Sequence, residues 1–456
     1  MRWTNAERAL LQADPRCHRA FELMGAIFEK MGRYGQAAEL FERAVKAIPP
    51  HDTFRMLEAT ASMSNPLFLL GEVEEAVCVL EEGMKKARAN GRASGLDSST
   101  AEGCMFEGVP TFFIQCYLFA LCSSSRPRDE ISRAHLEFGK IMRARLGPVV
   151  PCEVHDTDVD RRLRIGYLSG DMYMTVVGDN LEGLLRARNR EAIHVTCYQR
   201  NSTDDAQTDI LRKLSDEWVA CSDKTQQEVN NLIRSDEIDI LIDLGGHSGG
   251  TQLDIFALCP APIQVNWIGY PNTTGLDCMH YRLTDAWSDP IESTQIYSEQ
   301  LVRLPTFFNC LQRPKMLNVA PHEVPPMLAK GFCTFGSFNS LRKHSKRTKR
   351  TWGRLLMAMP EAQLMLKERA FMHDAERERW IAGFLQCALD KSIPGVNFKT
   401  GPKLRKRLRL EPATQAFEDH ARLYDEMDIM LDSWPYCGTM TAADSLMMGV
   451  PVVVRT

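Results

Sequence analysis

Long apolar runs are missing from this chain of 456 residues, and so is a large excess of charge. No run reaches the roughly 18 apolar residues of a membrane-spanning helix, and the N-terminal sequence MRWTNAERALLQ lacks the apolar core of a signal peptide. The net charge is -4, so no overall field draws the chain to nucleic acid or to a membrane surface. We therefore expect neither as a partner.

Paired cysteines are missing as well. The 14 cysteines are scattered singly, with neither a Cys-x-x-Cys pair nor the Cys/His spacing of a metal site. We expect most of them to be buried, reduced side chains. Because disulfides persist in oxidising compartments, this usage predicts a cytoplasmic or nuclear protein.

The composition that remains is that of an ordinary soluble protein, with 44% apolar and 25% charged residues. A chain of this length should form two or three domains.

Residues 1–95 predict helical repeats of the tetratricopeptide type. One dense unit places small and aromatic residues at the spacing that two closely crossing helices require. Its members are Phe21, Met24, Gly25, Phe28, Gly32, Tyr34, Ala37, Ala38, Phe41, Ala44 and Pro49.

A second unit is weaker. Gly71, Ala76 and Leu80 fit it, but we expect Pro66 to interrupt its first helix. The stretch 6–15 resembles the tail of a repeat, so the chain is expected to begin inside a longer array, since about three units are needed to bury a continuous core.

Residues 96–160 predict a helical linker region. Residues 91–110 are rich in Gly, Ser and Ala and predict a loop, followed by helices over 112–121 and 130–145. Pro148 to Asp160 predicts a linker with prolines and acids.

From residue 161 the pattern changes to alternating strands and helices, which predicts parallel sheets covered on both faces. The first lobe, 161–310, holds the strands RLRIGYLS, HVTCYQR, EWVAC and Ile238 to Leu244. A connection over 311–330 leads to a second lobe, 331–456, with the strands FCTFGSF, AQLMLK, VNFKT, DIMLDSW and PVVV. Helices are expected over 346–359, 373–389, 415–426 and 441–448.

This pattern predicts a two-lobed α/β fold of the glycosyltransferase type, although patterning alone leaves other two-domain α/β enzymes open. The chain stops directly after a strand, and a strand without its following helix would leave one sheet face exposed. We therefore expect the second lobe to be truncated.

Two strand ends in the first lobe open into small, polar, glycine-rich loops. The strand that ends at Leu244 runs into GGHSGG, and the run 263–268 breaks into GYPNTTG. Ligands of α/β proteins bind at such strand ends.

Several long motifs carry a family resemblance. They are RLRIGYLSGD, DILIDLGGHSGG, PAPIQVNWIGYPNTTGL, YRLTDAWSDP, LVRLP, FGSFNSLRK and DIMLDSWPYCGTMTAADSLMMGVPVV. The chain resembles the O-linked N-acetylglucosamine transferases and their SPINDLY-like relatives from Ala134 to Val454, and YPNTTGL and YRLTD are closer to the SPINDLY-like and bacterial branch. The resemblance implies a GT-B type fold, a nucleotide-sugar donor, Ser/Thr acceptors on proteins, and inversion at the sugar with no essential metal or other cofactor.

A diphosphate leaving group needs a helix N-terminus and cations when no metal is present. Gly438, Thr439 and Thr441 precede or open a helix and could supply this, although either threonine could merely cap the helix. The resemblance implies diphosphate binding here, and a ribose contact for Asp444, whose alternative is a first-turn carboxylate favoured by the helix dipole.

The resemblance also places Asn339, Ser340 and Lys343 beside the nucleotide sugar, with Lys343 on the diphosphate. We expect the neighbouring basic residues to be solvated, namely Arg342, Lys346, Arg347, Lys349 and Arg350. The run KLRKRLRL over 403–410 is expected to be solvated too. The family has a nucleotide-binding histidine where His420 stands, although a lone helical histidine is often a surface or core residue.

The acceptor side departs from the family pattern Ser-x-Asp-Phe-x-x-His. Met172 replaces the aromatic, and Thr175 replaces a histidine proposed as a base, which threonine cannot be near neutral pH. Asp171 could orient an acceptor or cap a turn.

His135 matches another family histidine near the reaction centre, with a helix-surface residue as the alternative. His247 and Tyr270, in the two glycine-rich loops, and Thr175 are expected to line the acceptor-side cleft.

The function that the resemblance implies is transfer of N-acetylglucosamine from UDP-GlcNAc to protein Ser/Thr hydroxyls, with Lys343 and the helix at Gly438 stabilising the diphosphate. His135 or a water would remove the acceptor proton, and the repeat helices would recruit protein acceptors. The alternatives are fucose transfer from GDP-fucose and a noncatalytic scaffold.

Overall fold

The computed structural model describes residues 17–94, 104–154, 156–310, 320, 324–390 and 401–455. The chain divides into two compact units. The first contains residues 1–90, 123–125 and 313–456, and the second contains 91–122 and 126–312. The repeat segment thus clusters with the C-terminal lobe, and most of the 96–160 region clusters with the first lobe.

The first unit begins with paired amphipathic helices. They are α1 His18–Lys30, α2 Tyr34–Ala47, α3 Thr53–Leu69 and α4 Val73–Ser94. Gly25 lies against the ring of Phe41, where an added Cβ would approach the ring carbons to 2.9 Å. This close crossing of α1 and α2 is why a small residue is required there.

Two expectations for this segment are wrong. Helix α3 continues through Pro66 to Leu69. Pro66 lies in the last turn, and the helix ends within one turn of it, so the proline does not divide the element. Helix α4 also extends to Ser94, into the stretch expected to be a loop. The repeat tail over 6–15 lies outside the described residues.

The second unit is built on a parallel sheet of seven strands in the order β3-β2-β1-β4-β5-β6-β7. The strands are β1 Leu163–Ser169, β2 Ile193–Gln199, β3 Glu217–Ala220, β4 Ile240–Asp243, β5 Ile263–Asn266, β6 Tyr281–Asp285 and β7 Gln300–Leu304. The helices are α5 Thr111–Cys122, α6 Arg128–Leu146, α7 Val176–Ala187, α8 Ala206–Leu214, α9 Gln226–Ser235 and α10 Leu253–Phe256.

The first unit also holds a parallel sheet, with five strands in the order β10-β9-β8-β11-β12. Its strands are β8 Thr334–Ser337, β9 Gln363–Lys367, β10 Leu408–Glu411, β11 Ile429–Leu431 and β12 Val452–Val453. Its helices are α11 Pro326–Lys330, α12 Lys346–Ala358, α13 Asp374–Ala388, α14 Gly401–Arg405, α15 Phe417–Tyr424 and α16 Met440–Met447, with 3-10 turns at Leu341–Lys343 and Arg369–Met372. The expected two-lobed α/β architecture is confirmed.

Two basic runs differ from expectation. Lys349 is buried, and Arg342 is half-buried over the ring of Phe68. In the other run, Leu404 is fully buried and Leu408–Glu411 is strand β10. Each run spans two elements, and some of its residues lie on the inner face of an element and reach the core although charge dominates the sequence. The expected strand VNFKT, by contrast, lies outside the described residues.

Within the first unit, the repeat helices pack on the lobe that holds the five-stranded sheet. Tyr34 and Leu70 belong to the same apolar cluster as Leu341 and Trp380. The backbone N–H of Gly35 donates to the Glu376 carboxylate at 2.8 Å. The helical segment therefore completes the core of this lobe.

The expectation that most cysteines are buried is wrong: all 14 are free, and five are buried. Among the described residues, no helix is both long and apolar enough to cross a membrane.

Candidate functional site

Polar side chains converge at the carboxyl edge of the five-stranded sheet. Asn339 follows β8, Lys367 ends β9, and Asp432 follows β11. These three strands are neighbours and run parallel, so their ends share one edge, which is where α/β folds bind ligands.

Asp432 organises the loop that leads into α16. One carboxylate oxygen accepts hydrogen bonds from the amide of Asn339 at 2.8 Å and from the backbone N–H groups of Ser433 at 2.8 Å and Gly438 at 2.7 Å. The hydroxyl of Thr441 in turn donates to the Asn339 side-chain oxygen at 2.5 Å. The loop, the helix start and the β8 end are thus held as one unit.

Gly438 lies where no side chain fits. A Cβ there would come within 2.5 Å of both the Asn339 and the Thr441 side-chain oxygens. Neither threonine has the alternative capping role: Thr439 is the N-cap residue but makes no side-chain cap bond, and Thr441 bonds Asn339. The helix α16 therefore begins with positive backbone dipoles at a tightly packed glycine turn.

Lys343 lies directly beside this turn. Its ammonium donates to the Cys437 carbonyl at 3.0 Å and lies 4.5 Å from the Tyr436 ring centroid. Burial, followed by the neighbouring Arg342 charge, lowers the pKa of Lys343 to about 8. At neutral pH Lys343 is still mostly a cation. Because the carbonyl and the ring that it contacts are uncharged, its positive charge can bind an anion.

His420 lies on α15, near the same edge. Its Nδ1 accepts from the Lys367 ammonium at 2.6 Å. Its ring contacts those of Phe338 and Tyr424, with centroids 5.6 Å and 5.4 Å away. Burial, helped by the Lys367 charge, lowers the pKa of His420 to about 4, so the ring is neutral at pH 7.

The remaining expected donor residues lie nearby. Ser340 directly precedes the 3-10 turn Leu341–Lys343. The N–H of Leu341 in that turn donates to the Glu368 carboxylate at 3.4 Å, and burial raises the pKa of Glu368. Asp444 is the fifth residue of α16 and so lies beyond its first turn, contrary to the alternative considered for it.

The second unit contains a buried polar network that joins the ends of β4 and β5 to the start of β6. Asp243 accepts from the N–H groups of Gly245 at 3.0 Å and Gly246 at 2.9 Å, which bends the GGHSGG loop. Arg282 donates to the carbonyls of Tyr270 at 2.7 Å and Asn272 at 3.0 Å, which fixes the GYPNTTG loop. The two motif loops are therefore held by buried charges.

His135, His247 and Tyr270 form a buried aromatic cluster in this unit. His135 Nδ1 donates to the Ile131 carbonyl at 2.7 Å, so its Nε2 accepts from the Tyr270 hydroxyl, also at 2.7 Å. The two histidine rings are 5.1 Å apart. Burial lowers the pKa of His135 to about 4 and that of His247 well below its usual value.

The surface alternative for His135 is wrong, since its side chain is 0% exposed. His247 donates to the Thr274 carbonyl at 2.8 Å, and its Nδ1 is buried and unpartnered among the described residues.

The departures from the family pattern have structural roles. Met172 is fully buried in the apolar cluster of the first sheet. Thr175 is the N-cap of α7 and accepts from the Gly178 N–H at 3.1 Å. Burial raises the pKa of Asp171, whose carboxylate lies against Gly250.

Sequence reasoning missed Asp432, Lys367, Arg282 and Glu299. Glu299 is buried and accepts from the hydroxyls of Thr273 and Thr274. Asp432 and Lys367 each stand at a strand's carboxyl end, and that position was a usable signal. Glu299 precedes a strand, where no such rule applies.

Comparison with known proteins gives a consistent result. A protein-family model described as glycosyl transferase family 41 matches residues 118–324. An Arabidopsis thaliana protein described as a probable UDP-N-acetylglucosamine--peptide N-acetylglucosaminyltransferase SPINDLY is 36% identical over 330 residues, covering 71% of this chain and 34% of that protein. The corresponding Arabidopsis thaliana SEC protein is 28% identical over 345 residues, with coverages of 71% and 32%.

The chain thus spans about a third of the length of these curated relatives. Among solved structures, a mutant of the Thermobaculum terrenum O-GlcNAc transferase is similar with a TM-score of 0.82 and 30% identity, covering 98% of this chain and 77% of that one.

Proposed function

Because the chain belongs to glycosyl transferase family 41, the O-GlcNAc transferase family, we propose that it is a protein O-glycosyltransferase that binds a nucleotide sugar at the carboxyl edge of its five-stranded sheet. The observation that carries the proposal is the cluster of Lys343, Asn339 and Gly438 at the start of α16. A cation and a helix N-terminus at one strand edge suit a diphosphate.

In the proposed reaction, a Ser or Thr hydroxyl of a protein attacks the anomeric carbon while the bond from that carbon to the diphosphate oxygen breaks. Negative charge grows on the departing diphosphate, and Lys343 with the α16 N-terminus stabilises it. No metal is needed for this role, so transfer should persist in a chelator.

We propose that a water molecule takes up the proton of the attacking Ser or Thr hydroxyl. His135 is an unsuitable base because it is fully buried, has a lowered pKa and already accepts from Tyr270. We propose that His135, together with Tyr270 and His247, instead holds the glycine-rich loops that serve the acceptor side. Asp171 and the hydroxyl of Thr175 are the other residues proposed to contact the acceptor.

UDP-N-acetylglucosamine is the proposed donor, supported by the descriptions of the relatives. GDP-fucose is the alternative donor, which the resemblance of the motifs YPNTTGL and YRLTD to the SPINDLY-like branch implies. A larger thermal shift with GDP than with UDP would select the alternative. We further propose protein acceptors recruited by the repeat helices, and action in the cytoplasm or nucleus.

Transfer of a labelled sugar to protein acceptors tests the proposal. Lys343→Ala should lower the rate by about 100-fold or more, because one donor to the leaving group is lost. The matched control is Lys346→Ala, an exposed lysine at the start of α12, which should transfer normally. Undiminished transfer by Lys343→Ala would exclude the role given to this lysine.

A further inference from the structure

Lys367 lies at the donor-site edge without an assigned role. It is the last residue of β9, and its ammonium donates to Nδ1 of His420 at 2.6 Å and to the Thr414 hydroxyl at 2.9 Å. It also lies 6.0 Å from the ring centroid of Phe338, the residue before Asn339. A half-buried cation therefore has two neutral hydrogen-bond partners next to the site proposed for the nucleotide.

The contact with Lys367 determines where the His420 proton lies. An ammonium group has only donors, so Nδ1 must contribute its lone pair. Burial keeps the His420 ring neutral at pH 7 by lowering its pKa to about 4. A neutral ring that accepts at Nδ1 carries its single proton on Nε2.

The ring is also held in direction. Phe338 packs against it at 5.6 Å and Tyr424 at 5.4 Å between centroids, in tilted and edge-on arrangements. Rotation of the ring by 180° would replace Nδ1 with a carbon atom in front of the ammonium. Both the plane and the tautomer are thus fixed by contacts within the fold.

We propose that Lys367 is a positioning residue for the donor nucleotide: it fixes His420 as the Nε2–H tautomer, so that His420 offers a hydrogen-bond donor to an oxygen of the nucleotide. The inference rests on the proposed function for the identity of the ligand. The effect of Lys367 on the His420 tautomer stands on the contacts of the protein itself.

The tautomer is read by two-bond nitrogen–proton NMR of the histidine side chains in the full chain, with the His420 signal assigned from its loss in His420→Gln. The wild type should show one tautomer, protonated at Nε2. Lys367→Met removes the donor and should yield Nδ1–H or a mixture. Lys367→Arg keeps a donor and should retain Nε2–H.

Calorimetry with UDP and GDP supplies the second reading. Lys367→Met should weaken binding of the preferred nucleotide by about tenfold, as expected for one lost hydrogen bond to a charged ligand. Lys367→Arg should retain most of the affinity, and Lys346→Met should bind like the wild type. Thermal melting of each variant checks that it folds.

The outcomes are distinguishable. An unchanged Nε2–H signal in a folded Lys367→Met protein overturns the inference, whatever happens to the affinity. A changed tautomer with unchanged affinity overturns the part that concerns the nucleotide. If the wild type binds neither UDP nor GDP, the proposed function fails, while the NMR result still decides whether Lys367 controls His420.

Discussion

At the residue scale, Gly438 shows how closely the proposed donor site is packed. Asn339 and Thr441 meet across it through a hydrogen bond of 2.5 Å, and Asp432 holds its backbone N–H. No atom can be added at this glycine without separating the two side chains. The start of α16 is therefore fixed relative to the end of β8 by contacts that need a glycine.

Gly438→Ala should weaken nucleotide binding by about tenfold, because the new methyl group parts Asn339 from Thr441 and shifts the helix N-terminus. Gly383→Ala is the matched control, since it lies in α13 and its Cβ would meet only the Lys349 ammonium, at 3.7 Å. Calorimetry with the preferred nucleotide measures both. Equal affinities in the two variants would contradict the packing described for Gly438.

The buried His135 side chain should make the free energy of unfolding depend on pH. Its pKa is about 4 in the folded chain against 6.5 for an ordinary histidine, so the unfolded chain takes up a proton first as the pH falls. The part of the unfolding free energy that depends on a neutral His135 is fully present above about pH 6.5 and is lost towards pH 4. Acidification from pH 7 to pH 5 removes about 2 kcal/mol of it.

Urea unfolding at pH 7 and pH 5 tests this. The loss of unfolding free energy on acidification should be about 2 kcal/mol smaller in His135→Gln than in the wild type. His51→Gln, which changes an exposed histidine, should behave like the wild type. An equal loss in His135→Gln would show that His135 does not control the acid sensitivity.

At the scale of elements, the turn between α3 and α4 supports the turn that carries Lys343. Gly71 has a φ of +81°, and a Cβ there would overlap the carbonyl oxygen of Leu341. Arg342 lies 5.4 Å from the ring of Phe68 in α3. The turn between the repeat helices α3 and α4 thus contacts the 3-10 turn Leu341–Lys343.

Gly71→Ala should destabilise the chain by more than Gly331→Ala. Gly331 also has a positive φ, +76°, but a Cβ there meets nothing within 4 Å. The control therefore isolates the backbone cost, about 1–2 kcal/mol, and the excess in Gly71→Ala reports the clash with Leu341. Urea unfolding gives both values, and equal losses would contradict the contact.

Elements were predictable from the sequence where their apolar period was regular. Examples are β1 to β4 in the seven-stranded sheet, β8, β9, β11 and β12 in the five-stranded sheet, and the dense repeat unit of α1 and α2, because alternation and helical spacing directly reflect burial. Strand β10 was instead expected to be a solvated basic run. Lys349 was not predictable, since a basic run looks solvated unless the helix face that meets the core is known. Pro66 was misleading because a proline in a last turn only ends a helix.

Some residues of the proposed donor site were likewise predictable from the sequence, and others were not. Gly438 and Lys343 stand in a recognisable motif, and the structure brings them together. Lys367 and His420 are separated by 53 residues in sequence, and their contact depends on how α15 packs against β9. Long-range side-chain pairs of this kind follow from tertiary packing, which local pattern does not contain.

At the scale of the whole molecule, residues 1–90 form one compact unit with residues 313–456. Tyr34 and Leu70 complete the apolar cluster of the second lobe, and Glu376 reaches the N-terminus of α2. The repeat helices are therefore part of the core of the lobe that holds the five-stranded sheet.

A chain shortened to residues 91–456 should lose hydrogen-exchange protection in β8 and β9, since their lobe loses part of its core. Protection in β1 and β2 should remain, because these strands belong to the other compact unit. Hydrogen exchange followed by mass spectrometry compares the strands in one experiment. Full protection of β8 and β9 in the shortened chain would contradict the shared core.

The central claim is that the carboxyl edge of the five-stranded sheet binds a nucleoside diphosphate through Lys343 and the start of α16. Calorimetric titration of the full chain with UDP and with GDP, repeated for Lys343→Met and Lys346→Met, tests it most directly. We expect one nucleotide to bind the wild type and Lys346→Met equally, and to bind Lys343→Met at least about tenfold more weakly. Equal binding by Lys343→Met, or no binding of either nucleotide by the wild type, would contradict the account.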